Sequence, residues 1–112
     1  MKQIFYVPQR GDVVRVPSSA PPGRRPSDVR LFLVLSPQAY NSRVGLALLC
    51  PVTAHIKGYP FEVPIPKGLP VDGAVLADQA ESVDWRSRRA ELVCALPQAV
   101  VDDVLGKAKT LL

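Results

Sequence analysis

Val44-Gly45-Leu46-Ala47-Leu48-Leu49-Cys50-Pro51-Val52 is an almost unbroken aliphatic run, and Thr53 closes it. A short apolar stretch of this kind reads as a buried strand. Working outward, Val29-Arg30-Leu31-Phe32-Leu33-Val34-Leu35 reads as a second central strand whose one charge, Arg30, sits at its start. Val13-Val14-Arg15-Val16 is β-branched and rises from the Gly11-Asp12 turn, giving a first strand. Phe61-Glu62-Val63 alternates, but Pro60, Pro64 and Pro66 confine it to a sheet edge. Val71 to Asp78 enters a further strand through Asp72-Gly73. Arg89 to Leu96 predicts another, with Ala90, Leu92, Cys94 and Leu96 on one face. Ser36 is placed to cap a short helical turn with Pro37 at its first position. Pro97 opens a final helix whose stripe is Val100, Val101, Val104, Leu105, Ala108, Leu111 and Leu112. Five to seven short strands and a terminal helix predict a small, mostly β (α+β) barrel.

The size suits one domain over residues 1–112, because 112 residues hold a modest core but not two. Hydrophobic content of 47% and charged content of 21% are globular values. The 14 Lys and Arg against 10 Asp and Glu leave a net +4, so an RNA or DNA partner is plausible on charge. No apolar run reaches the roughly 18 residues of a membrane span, and Met1 to Tyr6 lacks the apolar region of a signal peptide. The cytoplasm is therefore expected, with Cys50 and Cys94 as buried thiols rather than a disulfide. Neither cysteine has a Cys or His at metal-ligand spacing, so no metal is expected.

Chemistry concentrates at strand ends. Thr53 leaves the core where its hydroxyl can reach a phosphoryl oxygen, although an isolated threonine there more often bonds neighbouring backbone. Arg30 heading an apolar strand costs desolvation unless it is paired, with Asp28 for example, or aimed at an anion. His55 follows Thr53 by two residues, and an imidazole is a side chain suited to proton transfer, although a single surface histidine is more often incidental. Lys57, Tyr59 and Arg86 offer backbone contacts and stacking for a single strand, and Asp78-Gln79 offers paired donors and acceptors. Trp85 reads as packed core or as an interface. The loop from Pro17 to Asp28 packs four prolines, one glycine and three serines around Arg24 and Arg25, which suits a basic flap over an anionic ligand. There is no Gly-rich phosphate loop, no convincing carboxylate pair and no Cys-His nucleophile. If the groove is catalytic, attack by an RNA 2′-hydroxyl on its own phosphate suits Arg, Thr and His, since that reaction needs only orientation, charge stabilisation and proton transfer.

The chain resembles the MazF/PemK family of toxin endoribonucleases from bacterial toxin–antitoxin pairs. Gly11-Asp12-Val13, Leu35-Ser36-Pro37 with Tyr40-Asn41, Pro51-Val52-Thr53, Lys57-Gly58-Tyr59-Pro60-Phe61-Glu62-Val63, Asp72-Gly73, Leu76-Ala77-Asp78-Gln79 and Trp85-Arg86 carry the likeness in order. The resemblance implies an SH3-like barrel, a homodimer, and cleavage of single-stranded RNA at a short sequence. The expected products are a 2′,3′-cyclic phosphate and a 5′-hydroxyl, formed without metal or cofactor. A cognate MazE-like antitoxin is implied, its acidic tail filling the RNA groove. The family's catalytic pair, an arginine starting the second strand and a threonine ending the third, falls on Arg30 and Thr53. Arg25-Pro26 preserves a family dipeptide but lies too early, so Arg30 is favoured on distance to Ser36-Pro37 and Arg25 is its rival. Ser36, Asn41, His55, Lys57, Tyr59, Gln79 and Arg86, with Arg24 and Arg25 on the loop, are the expected RNA contacts. Two rivals stand beside this reading. One is a CcdB-like gyrase-binding toxin on the same fold, which depends on a Trp-Gly-Ile ending where this chain has Thr110-Leu111-Leu112; the other is a non-catalytic RNA-binding module.

Overall fold

The computed structural model describes residues 6–17 and 29–112. Most of the basic Pro17–Asp28 loop, with Arg24 and Arg25, lies outside those residues. The elements run β1 (Asp12–Pro17), β2 (Val29–Val34), α1 (Gln38–Val44), β3 (Ala47–Thr53), β4 (Glu62–Pro64), β5 (Ala74–Leu76), β6 (Glu81–Val83), β7 (Glu91–Ala95) and α2 (Gln98–Lys109).

The aliphatic run becomes the middle of the sheet, as its composition demands. One edge of β3 pairs antiparallel with β2. Its other edge is shared: Ala47 to Leu49 pair with β6, whereas Val52 and Thr53 pair with β5. The full order is β4-β5-β3-β2-β1-β7, with β6 beside β3. Among the described residues no ladder joins the outer strands β4 and β7, so the mostly antiparallel sheet is curled without a demonstrated hydrogen-bonded closure.

Strand alternation splits the core into two layers. Val13, Leu33, Cys50, Val63 and Val75 pack with Val101 and Val104 of α2 on one side. Val14, Val16, Phe32, Val34, Ala47 and Leu49 pack with Val83 and Trp85 on the other. Each fully buried side chain of this size contributes about 1.5–3 kcal/mol, so the two layers supply most of the driving force. Cys50 and Cys94 are free thiols, and burial pushes the Cys50 thiol up to about 12, with Asp78 adding to the effect.

Several boundaries differ from the sequence reading. Val44 ends α1 rather than starting β3, because Gly45 takes the left-handed φ of +78° and its N–H closes on Asn41 O at 3.0 Å. Ser36 does not cap α1, whose N-cap is Pro37. Its hydroxyl donates to Asn41 Oδ1 at 2.5 Å and accepts the Leu48 N–H at 2.8 Å. β6 is a strand that the sequence reading did not separate. In β7 a bulge opposite Val13 and Val14 breaks the alternation, so Cys94 and Leu96 join the α2 layer while Leu92 is exposed. Leu111 and Leu112 follow the helix and stand in solvent instead of continuing its stripe. Trp85 is core: its indole N–H donates to Asn41 O at 3.1 Å.

Candidate RNA-cleavage site

Two strand ends meet at the site. The β2–β3 ladder pairs Phe32 with Pro51, Leu33 with Cys50 and Val34 with Leu49. The ladder ends there, two residues short of Arg30 and of Thr53, whose own ladder partner is Ala74 of β5; by strand alternation Arg30 and Thr53 both lie on the face that holds Phe32 and Leu49. Arg30 is exposed, and its guanidinium carbon stands 5.1 Å from the Phe32 ring centroid. Its stem therefore lies along an aromatic face while the planar fork is left to solvent. Asp28, the acid the sequence offers as its partner, is outside the described residues.

Thr53 opens into a cleft of about 300 Å³ walled by His55, Lys57, Tyr59, Glu62, Leu76 and Gln79. Five expected site residues (Thr53, His55, Lys57, Tyr59 and Gln79) thus share one cavity. Arg30 is not one of its walls and is related to it as the start of the antiparallel neighbour β2. Thr53 Oγ1 accepts the backbone N–H of His55 at 3.0 Å. With a lone pair engaged, the hydroxyl proton is free to point at an oxygen in the cleft.

Tyr59 donates its hydroxyl to Asp78 Oδ1 at 2.8 Å. That bond, more than any burial, raises its pKa above the usual tyrosine value. The phenol stays protonated at neutral pH, leaving its ring as the feature it offers a base.

Ser36 and Asn41 fall elsewhere. Asn41 is fully buried, and its amide donates to Pro8 O at 2.8 Å and Ser36 O at 3.1 Å. With its oxygen accepting from Ser36 and its backbone carbonyl from Trp85, it has no group free for RNA. Both residues brace the β2–α1–β3 corner that aims β3, which is why they accompany the site in sequence without reaching it. Arg86 is exposed over the Trp85 ring, 5.0 Å from its centroid. It lines a different cleft with Tyr6, Arg89 and Glu91.

Two residues with clear local roles were not among the expected site residues. Glu62 read as the outward residue of an alternating edge strand, yet it is buried. Its carboxylate accepts the Lys57 N–H at 3.0 and 3.1 Å and the Gly58 N–H at 2.6 Å. The signal for it was an acid just after a glycine-bearing loop whose N–H groups had no other partner. Gly73 has φ +116°, and a Cβ there would lie 2.0 Å from Thr53 O. Only glycine lets β5 approach Thr53 so closely. Gly73→Ala is expected to cost about 3 kcal/mol of stability, read as a lower midpoint in urea unfolding, and to displace Thr53.

The family model described as PemK-like, MazF-like toxin of type II toxin-antitoxin system matches residues 9–112. The Endoribonuclease toxin MazF of Escherichia coli (strain K12) is 44% identical over 85 residues, covering 76% of each chain. A MazE-MazF structure (Form-II) from Deinococcus radiodurans superposes with a TM-score of 0.87 at 47% identity, covering 96% of both chains. An endoribonuclease from a Mycobacterial species in complex with its cognate antitoxin, 20% identical, shares the fold at a TM-score of 0.75 over 92% of each chain.

Proposed function

The chain belongs to the PemK-like, MazF-like toxin family of type II toxin–antitoxin systems as a MazF-type endoribonuclease, and we propose that it cuts single-stranded mRNA at a short sequence by metal-independent transesterification. The observation that supports this reading is the Thr53 cleft at the end of β3, with exposed Arg30 at the start of the antiparallel neighbour β2. In the proposed reaction the 2′-oxygen bonds to the adjacent phosphorus and loses its proton, and the P–O5′ bond breaks. The 5′-oxygen leaves as a hydroxyl after gaining a proton, and a 2′,3′-cyclic phosphate remains. Negative charge builds on the non-bridging oxygens, where the Arg30 fork and the Thr53 hydroxyl donate. His55, a wall of the same cleft, supplies an imidazole there as the candidate proton carrier. Cleavage of mRNA arrests translation and growth.

His55, Lys57, Tyr59, Gln79 and Arg86 are proposed RNA contacts, together with Arg24 and Arg25. A cognate MazE-like antitoxin, with an acidic tail competing for the same groove, is the proposed inhibitor. A second copy is the proposed partner for the apolar groove formed by Tyr40, Leu48, Leu105, Ala108 and Leu112, beside exposed Leu111. No helix among the described residues is long and apolar enough to cross a membrane, and a cytoplasmic site of action is proposed.

Binding to a non-cleavable 2′-deoxy oligonucleotide tests the groove. Engagement of about three phosphates gives a slope near −2 in log affinity against log salt, or about a tenfold loss from 50 to 150 mM. A salt-independent affinity would contradict a phosphate-binding groove.

A further inference from the structure

A carboxylate in the wall of a cleft meant for a polyanion repels its ligand unless its charge is already engaged. Glu62 is such a group. It lines the Thr53 cleft, it is only 8% exposed, and both of its oxygens are occupied by backbone N–H groups. Those N–H groups belong to Lys57 and Gly58, at the turn of the segment joining β3 to β4. Gly58 has φ +80°, the left-handed conformation that lets successive N–H groups converge on one anion. The fold has thus built an anion nest and filled it with its own acid.

The segment is tied down at both ends: His55 N–H binds Thr53 Oγ1 at 3.0 Å, the Tyr59 hydroxyl binds Asp78 Oδ1 at 2.8 Å, Pro60 O accepts from Lys107 Nζ at 2.7 Å and Phe61 O accepts the Ala77 N–H at 2.9 Å. Between those anchors the Lys57-Gly58 backbone is held by Glu62. No strand of the sheet covers residues 54–61. Its side chains include His55, Ile56 and Lys57, all exposed, of which His55 and Lys57 line the cleft. The position of those three groups accordingly depends on where Glu62 holds the Lys57-Gly58 backbone.

We propose that Glu62 is the positioning residue for RNA recognition: through Lys57 and Gly58 it fixes the loop that selects the cleavage sequence, while Arg30 and Thr53 act on the phosphate. This inference rests on the endoribonuclease reading above and names how that same site acquires its specificity. Loss of a positioning bond spreads its effect over the ground-state complex and the transition state alike, so KM moves and kcat does not. A purely structural role lowers stability and leaves the cleavage sequence unchanged.

The experiment compares wild type, Glu62→Gln and Gly58→Ala on one long RNA, with every cut mapped, and on one short single-site oligonucleotide for kinetics. Glu62→Gln keeps the shape but removes the charge that the two N–H groups bind. Gly58→Ala strains the loop alone, since a Cβ at Gly58 meets nothing within 4 Å, and it reports even if the first variant fails to fold. Both variants are expected to raise KM about tenfold with kcat within about threefold, the pattern of lost uniform binding, and to cut at additional sequences. Wild-type KM and an unchanged set of cuts in folded variants would overturn the inference while leaving the endoribonuclease reading intact. An inert wild type would overturn that reading, and this inference with it.

Discussion

Arg30→Ala leaves RNA uncut while the protein stays folded. Arg30 is exposed at the start of β2, and its guanidinium rests on the Phe32 ring without entering the core. Removing it costs the fold little more than a surface cation–π contact, about 0.5–1 kcal/mol. The reaction loses much more, because phosphoryl transfer depends on charge stabilisation and positioning, and an arginine in that role is worth about 10³-fold or more in rate. Initial rates on a single-site oligonucleotide, with a thermal melt of the same sample, separate the two effects. Arg30→Lys is expected to restore only a small part, since a point charge does not reproduce the planar fork. Normal cutting by Arg30→Ala, with loss in Arg25→Ala, would move the role to the loop.

Thr53→Ala lowers kcat about 100-fold with a smaller change in KM, the size of a lost transition-state donor. Thr53 stands at the mouth of the cleft with its oxygen accepting from His55 N–H. Thr53→Ser keeps the hydroxyl and is expected to stay within about tenfold of wild type, whereas Thr53→Val keeps the shape and behaves like alanine. Because the His55 N–H is exposed and finds water, the stability change remains below about 1 kcal/mol. Equal rates for Thr53→Val and wild type would remove the hydroxyl from the chemistry.

Much of this site was legible in the chain because strand ends are. A run that is apolar from Ala47 to Val52 and then polar at Thr53 has one way to behave in a sheet, whereas the strand neighbours came only with the structure. The failures share a cause: they depend on single backbone conformations. The left-handed Gly45 moved Val44 into α1, and the bulge in β7 turned Leu92 outward, though neither alters the hydrophobic pattern around it. Ser36 and Asn41 travel with the site in sequence because they shape the corner before β3; only their burial shows that they face inward. Glu62 failed for the opposite reason. Alternation assigns an acid to solvent, and the loop N–H groups that draw it inward become visible only once the turn at Gly58 is formed.

The most direct test of the central claim is cleavage of a long mixed-sequence RNA by the purified protein in EDTA, with both ends of every cut identified. Defined cuts at a recurring short sequence, bearing 5′-hydroxyl and 2′,3′-cyclic phosphate ends, are the predicted result. Intact RNA, or cuts bearing 5′-phosphates, would contradict it.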